Sequence, residues 1–213
     1  MMLSMRKVIS AGAVILGLGL FSSIATADES AVRWDLLHVT FMTTGNILDA
    51  GGSASALAQD GSKITLTGSG TFAPGDSDEV TGGGNWTTYS PAGAMTGTGT
   101  YEVRRLIRFD SAPGVQNSTA VDHIGDGTLK DNRAGLVALL ISYSDGSKGV
   151  LFVSCRLPGS PPPSPPLNAA PASIFEGVTA SKGYTDYWNH VGPVNGVDNG
   201  RTLFHVIPQQ NGD

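Results

Sequence analysis

Residues 82–110, GGGNWTTYSPAGAMTGTGTYEVRRLIRFD, decide the fold of this chain. Two runs rich in Thr, Tyr, Trp and Ile flank Pro91-Ala92-Gly93, and that combination predicts two antiparallel strands joined by a tight reversal. In the second run, from about Met95 to Phe109, one face carries Tyr101, Val103, Arg105, Ile107 and Phe109. The other carries Thr100, Glu102, Arg104, Leu106 and Arg108. Alternation of this kind marks a strand with one buried face. Arg105 is the odd member of the apolar set. Pointing inward, it needs a carboxylate such as Glu176 or Asp186, or a bound anion; a bulge would instead turn it out to solvent.

Working outward, Asp60-Gly61 sits between Ala54–Gln59 and Lys63–Phe72, and Asp145-Gly146 sits between Leu136–Ser144 and Lys148–Leu157. Both are hairpin signals. Arg33–Phe41 reads as the first strand of the folded part, Ile174–Ala180 as a further one and Thr202–Ile207 as the last. With 29 glycines and only 15% charged residues, the composition suits many strands and tight turns. The prediction is an all-β domain: a single antiparallel up-and-down meander closing into a small barrel of about eight strands, with a β-sandwich as the alternative. The inferred meander resembles the small exported barrels of the lipocalin and allene-oxide-cyclase-like kind. That resemblance is architectural and carries no functional residues across.

The segment Leu66–Phe72, LTGSGTF, is echoed by Met95–Tyr101, MTGTGTY. Paired glycines two apart share a strand face, where they permit a sharp bend or the close approach of another group.

Residues 1–27 stand apart. Arg6 and Lys7, the apolar run Val8–Phe21 and Ala25-Thr26-Ala27 form a signal peptide, which predicts cleavage before Asp28 and a secreted or periplasmic product. Residues 28–213 then form one domain with no membrane span. Residues 157–173, LPGSPPPSPPLNAAPAS, are too proline-rich for sheet pairing and predict a stiff surface strap. The lone Cys155 allows no internal disulfide and falls on an apolar strand face, as a packed thiol does.

A formal charge of −5 and the lack of basic runs exclude a nucleic-acid-binding surface. No phosphate loop, nucleophile elbow, zinc motif or cysteine pair is present, so neither cofactor nor metal is expected. The acidic loops Gly75–Glu79 and Asp122–Asp131 read as solvated rather than as calcium loops. His38 and His205, on the first and last strands, would become neighbours on barrel closure. The segment Lys182–His190, KGYTDYWNH, predicts an aromatic turn or short helix that plugs a barrel end or lines its mouth.

The candidate ligand-binding set is therefore Trp86, Tyr101, Arg105, Tyr184, Asp186, Trp188 and His190. The expected function is binding of a small, partly apolar ligand, anionic if Arg105 faces inward. Two alternatives stand beside it. One is a cofactor-free isomerase or cyclase using Arg105, Asp186 or His190. The other is a structural surface protein that self-associates into homo-oligomers through glycine- and threonine-rich edges.

Overall fold

The computed structural model describes residues 30–116, 119–124, 129–159, 175–192 and 200–207. The signal segment and most of the proline-rich strap lie outside the described residues. Fifteen strands form one sheet, and among the described residues the only helical piece is the 3-10 turn Leu129–Asp131.

Three hairpins fall where the turn residues predict them. Strand β3 (Ser53–Leu57) returns as β4 (Lys63–Thr67), β7 (Gly83–Tyr89) as β8 (Met95–Ala112), and β10 (Asn132–Tyr143) as β11 (Lys148–Cys155). At two of them the chemistry repeats: Asp60 Oδ1 accepts hydrogen bonds from the Ser62 amide and hydroxyl, and Asp145 Oδ1 does the same for Ser147. The intervening Gly61 and Gly146 take the left-handed conformation that a side chain would oppose.

The barrel closes with six strands rather than about eight. In order around the ring they are β1 (Val32–Thr40), β5 (Ser69–Ala73), β7, β8, β10 and β15 (Arg201–Val206), all pairings antiparallel. The ring is not a pure meander, because β15 lies between β10 and β1 and joins opposite ends of the chain. Short β2 (Ile47–Ala50) pairs with β1 and, in parallel, with β9 (Val121–Asp122); β6 (Asp76–Val80) pairs with β5.

The outer strands also come round on themselves. Strand β12 (Gly177–Lys182) pairs with β11 and then with β13 (Thr185–Tyr187); one residue later β14 (Asn189–His190) pairs with β3. The segment predicted as an aromatic plug is thus a wall strand, held on one side by β12 and on the other by β3. Through β3, β4, β7, β8, β10, β11 and β12 this second antiparallel path runs round to Thr185–His190, but it skips β5, β6 and β9 and so is not the single meander that the sequence predicts.

The interior is packed. Trp34, Leu36, Ile64, Leu66, Leu139, Ile141, Leu151 and Phe204 are fully buried. Cys155 is buried among them as a free thiol, as expected. Two threonine-glycine echoes do different work. Gly68 turns the chain from β4 into β5, where an added Cβ would meet the Gly83 carbonyl oxygen at 2.4 Å. Gly97 and Gly99 lie within β8 and clear space for the Trp86 indole, whose atoms would come within 3.1 and 2.9 Å of the added Cβ atoms.

Candidate functional site

The residues singled out from the sequence do not converge. Trp86 and Tyr101 are core side chains that meet at Tyr143, with ring centroids 5.9 and 6.3 Å from it. Their polar atoms are satisfied by backbone: Trp86 Nε1 donates to the Thr100 carbonyl at 3.1 Å and Tyr101 Oη to that of Thr67 at 2.8 Å. Burial pushes the Tyr101 phenol far above its ordinary pKa.

Arg105 points outward. Strand β8 is bulged twice against β10, with Leu139 opposite Leu106, Leu140 opposite Arg105 and Ile141 opposite Val103. Arg104 and Ile107 are the extra residues, and each resets the alternation, so Leu106 rather than Arg105 or Ile107 takes the inward place. The Arg105 guanidinium lies 3.6 Å from Asp78 and donates to Ser77 Oγ at 3.2 Å, with both charged partners in solvent.

Tyr184 is fully exposed, Asp186 is exposed, and Trp188 rests half-exposed with its ring edge-on to Phe152 at 5.6 Å. His190 stacks on Phe175 at 4.7 Å, and burial lowers its pKa. His38 and His205 do lie on paired strands, but the register sets Arg33, not His38, opposite His205.

Two other groupings emerge. The first is a cleft of about 210 Å³ where β1, β2 and β15 meet the end of β11 and the start of β12. Its apolar wall includes Leu37, Val39, Leu48, Leu157 and Leu203, with Phe41 at the rim. Glu176 enters from the residue before β12. Its Oε1 accepts the Thr202 amide at 2.9 Å and its Oε2 the Arg156 amide at 2.8 Å, so one carboxyl stitches β15 to the end of β11. Burial raises the Glu176 pKa to about 7, against the opposing pull of those two amides and of the Arg201 charge. Behind it the buried Cys155 thiol is pushed up by burial first and by the Glu176 charge second.

Arg201 supplies the cleft's cation. Its guanidinium carbon lies 5.6 Å from the Phe41 ring centroid, and its Nε is buried with no hydrogen-bond partner among the described residues. No described carboxylate comes within 4.0 Å of it. A guanidinium stacked on an aromatic face keeps its in-plane N–H donors for an anion. Arg156, exposed at the rim, adds a second positive charge.

The second grouping is a buried polar knot on β15, β10 and β9. His205 Nε2 lies 2.9 Å from Asp122 Oδ2, which also accepts from Asn132 Nδ2 at 3.2 Å, while Asp122 Oδ1 accepts the Ile124 amide at 2.9 Å. Burial acts to raise the Asp122 pKa, but the bonds from His205, Ile124 and Asn132 outweigh it and hold the carboxyl below its ordinary value. Beside it, Arg33 forks onto the buried Asp35 at 2.7 and 2.8 Å. The cleft does not reach this knot, which reads as a structural lock. Among the described residues no three His, Cys, Asp or Glu side chains cluster as a metal site, and no helix is long and apolar enough to cross a membrane.

Comparison with family models, with curated proteins and with solved structures found no match. Sequence reasoning named Glu176 only as a partner for Arg105 and passed over Arg201 altogether. The single signal for either was a glutamate set between Phe175 and Gly177 in an otherwise apolar stretch.

Proposed function

We propose that this protein is an exported binding module for a small, partly apolar anion, seated in the cleft at the β1–β15 end of the barrel. Export rests on the sequence of residues 1–27 alone. The binding reading keeps the ligand class expected from the sequence but moves the site, because the barrel interior is filled with side chains. The observation that carries it is Arg201, a guanidinium without a carboxylate partner among the described residues, set against an apolar wall. A group of this kind gains most from a ligand carboxylate or similar anion held in its donor plane. The cleft falls below the roughly 300–1,000 Å³ of sites for drug-sized molecules, which points to a compact ligand.

Calorimetry with hexanoate, hexanol and hexylamine tests the reading. Hexanoate is expected to bind tightest, and Arg201→Gln to weaken it by about tenfold or more, the worth of a charge-assisted hydrogen bond. Equal binding of hexanol and hexanoate would overturn the anion site.

A second reading draws on Glu176. A carboxyl that titrates at about 7 is matched to general acid–base work, as a cofactor-free isomerase requires. Arg105, Asp186 and His190, the polar participants expected from the sequence, do not reach this cleft.

A further inference from the structure

We propose that the cleft selects a monocarboxylate and holds it as a proton-sharing pair with Glu176, so that capture of the ligand takes up a proton from solvent. The inference rests on the proposed anion-binding function and adds to it the chemistry of the head group and a coupling to pH.

The geometry leads to this pairing. Glu176 Oε1 accepts the Thr202 amide and, at 3.5 Å, the Thr202 hydroxyl, whereas Oε2 accepts only the Arg156 amide among the described residues and keeps one lone-pair direction free. The carboxyl lines the same cleft as Arg201, so an anion drawn to the guanidinium arrives beside it. Two ionised carboxyls at such a distance repel, and in a site of low polarity the pair keeps one proton. The balance is simple: an ionised Glu176, one proton and a ligand carboxylate become a protonated Glu176 that donates one O–H···O bond to the ligand. Nothing is oxidised and no covalent bond to carbon changes.

The groups facing Glu176 fit this role. From the end of β11 come Arg156 and the buried Cys155 thiol; from β15 comes Arg201; β1 presents Leu37 and Val39, which carry no charge. Arg201, with Arg156 at the rim, thus gives the cleft two positive charges against one carboxyl whose pKa burial raises to about 7. The surplus is positive, which disfavours an ammonium ligand. A sulfonate satisfies Arg201 but, as a far weaker base, accepts the Glu176 O–H less well. A carboxylate does both.

The test is hexanoate binding to the mature protein by calorimetry at pH 7, in two buffers of different ionisation enthalpy. The expected result is uptake of about half a proton per ligand, with affinity about tenfold higher at pH 6 than at pH 8, as a group titrating at about 7 requires. Hexanesulfonate should bind more weakly than hexanoate at pH 6, where Glu176 holds its proton. Glu176→Gln, checked for retained fold by circular dichroism, should lose the uptake and the pH dependence together. The wild-type proton count does not depend on that variant folding. Hexanoate binding without proton uptake overturns this inference and leaves the anion site standing. No binding of hexanoate at all overturns both.

Discussion

Two carboxyls, the half-buried Glu176 and the buried Asp122, both lose water and yet shift in opposite directions, and the difference lies in what faces them. Asp122 meets an imidazole, an amide side chain and a backbone N–H, which favour its charged form. Glu176 meets two backbone amides, the Thr202 hydroxyl at 3.5 Å and a guanidinium outside ion-pair range, which do not offset the loss of water. Their effects on stability therefore run in opposite directions. Glu176, raised to about 7 from an ordinary 4.5, is neutral in the fold while the unfolded chain has already ionised. Its contribution is greatest below about pH 4.5 and falls as pH rises to 7, by up to roughly 3 kcal/mol in all. Asp122, lowered from 3.8, contributes stability above about that pH and loses it as the solution turns more acid. Urea melts of wild type and Glu176→Gln between pH 4.5 and 8 should show the wild type losing stability relative to the variant as pH rises. A difference that stays flat would mean that Glu176 is not desolvated. Little of this was legible in the sequence, where Asp122 reads as a solvated loop acid and Glu176 shows only as a lone glutamate in a predicted strand. The pairing of Asp122 with His205 spans 83 positions and exists only once the barrel has closed.

At the scale of the element, β8 shows what periodicity does and does not disclose. Its existence, its hairpin with β7 and the apolar inward face at Tyr101 and Val103 follow from alternation and from Pro91-Ala92-Gly93. The two bulges do not follow, because inserting one residue leaves composition and propensity unchanged while inverting every later side chain. That is why Arg105 and Ile107 read as inward and stand outward. The glycines of the same strand were partly legible: close approach of another group was expected, and the group is the Trp86 ring. At Gly99 an added Cβ would lie 2.4 Å from Ser144 Oγ and 2.9 Å from Trp86 Nε1; at Gly97 the nearest ring atom would be 3.1 Å away. The Ser144 hydroxyl also accepts the Thr100 amide, so it cannot swing aside without loss. Gly99→Ala is therefore expected to cost about 1–3 kcal/mol, as overpacked cores do, and Gly97→Ala less. Thermal melts of the two variants check the order. A Gly99→Ala protein that melts with the wild type would mean that the indole does not pack on this strand.

For the whole molecule, the local hairpins were readable and the closure was not. Each hairpin is specified by a few neighbouring turn residues, whereas the pairing of β1 with β15 joins residues more than 160 positions apart. Val32 sits opposite Val206, and the Ile207 amide donates to the Ala31 carbonyl at 2.7 Å, so the two ends of the described chain meet. Strand β15 then pairs with β10, completing the six-stranded ring and placing Leu203 and Phe204 in the core. It also brings Arg201 and Thr202 to Glu176, so the same closure assembles the cleft. Two rearrangements separate the role of the pairing from that of the chain order. A circular permutant that links residue 207 to residue 30 and opens the exposed turn between Ala92 and Gly93 keeps every strand pairing and should melt cooperatively. Truncating the chain after Gly200 strips Leu203 and Phe204 from the core and leaves Val32–Leu37 of β1, and Asn132 and Arg133 of β10, without their β15 partner. The truncated chain should lose its cooperative melt and aggregate. If it melts within a few degrees of the intact protein, β15 is an accessory strand and the barrel is closed by other means.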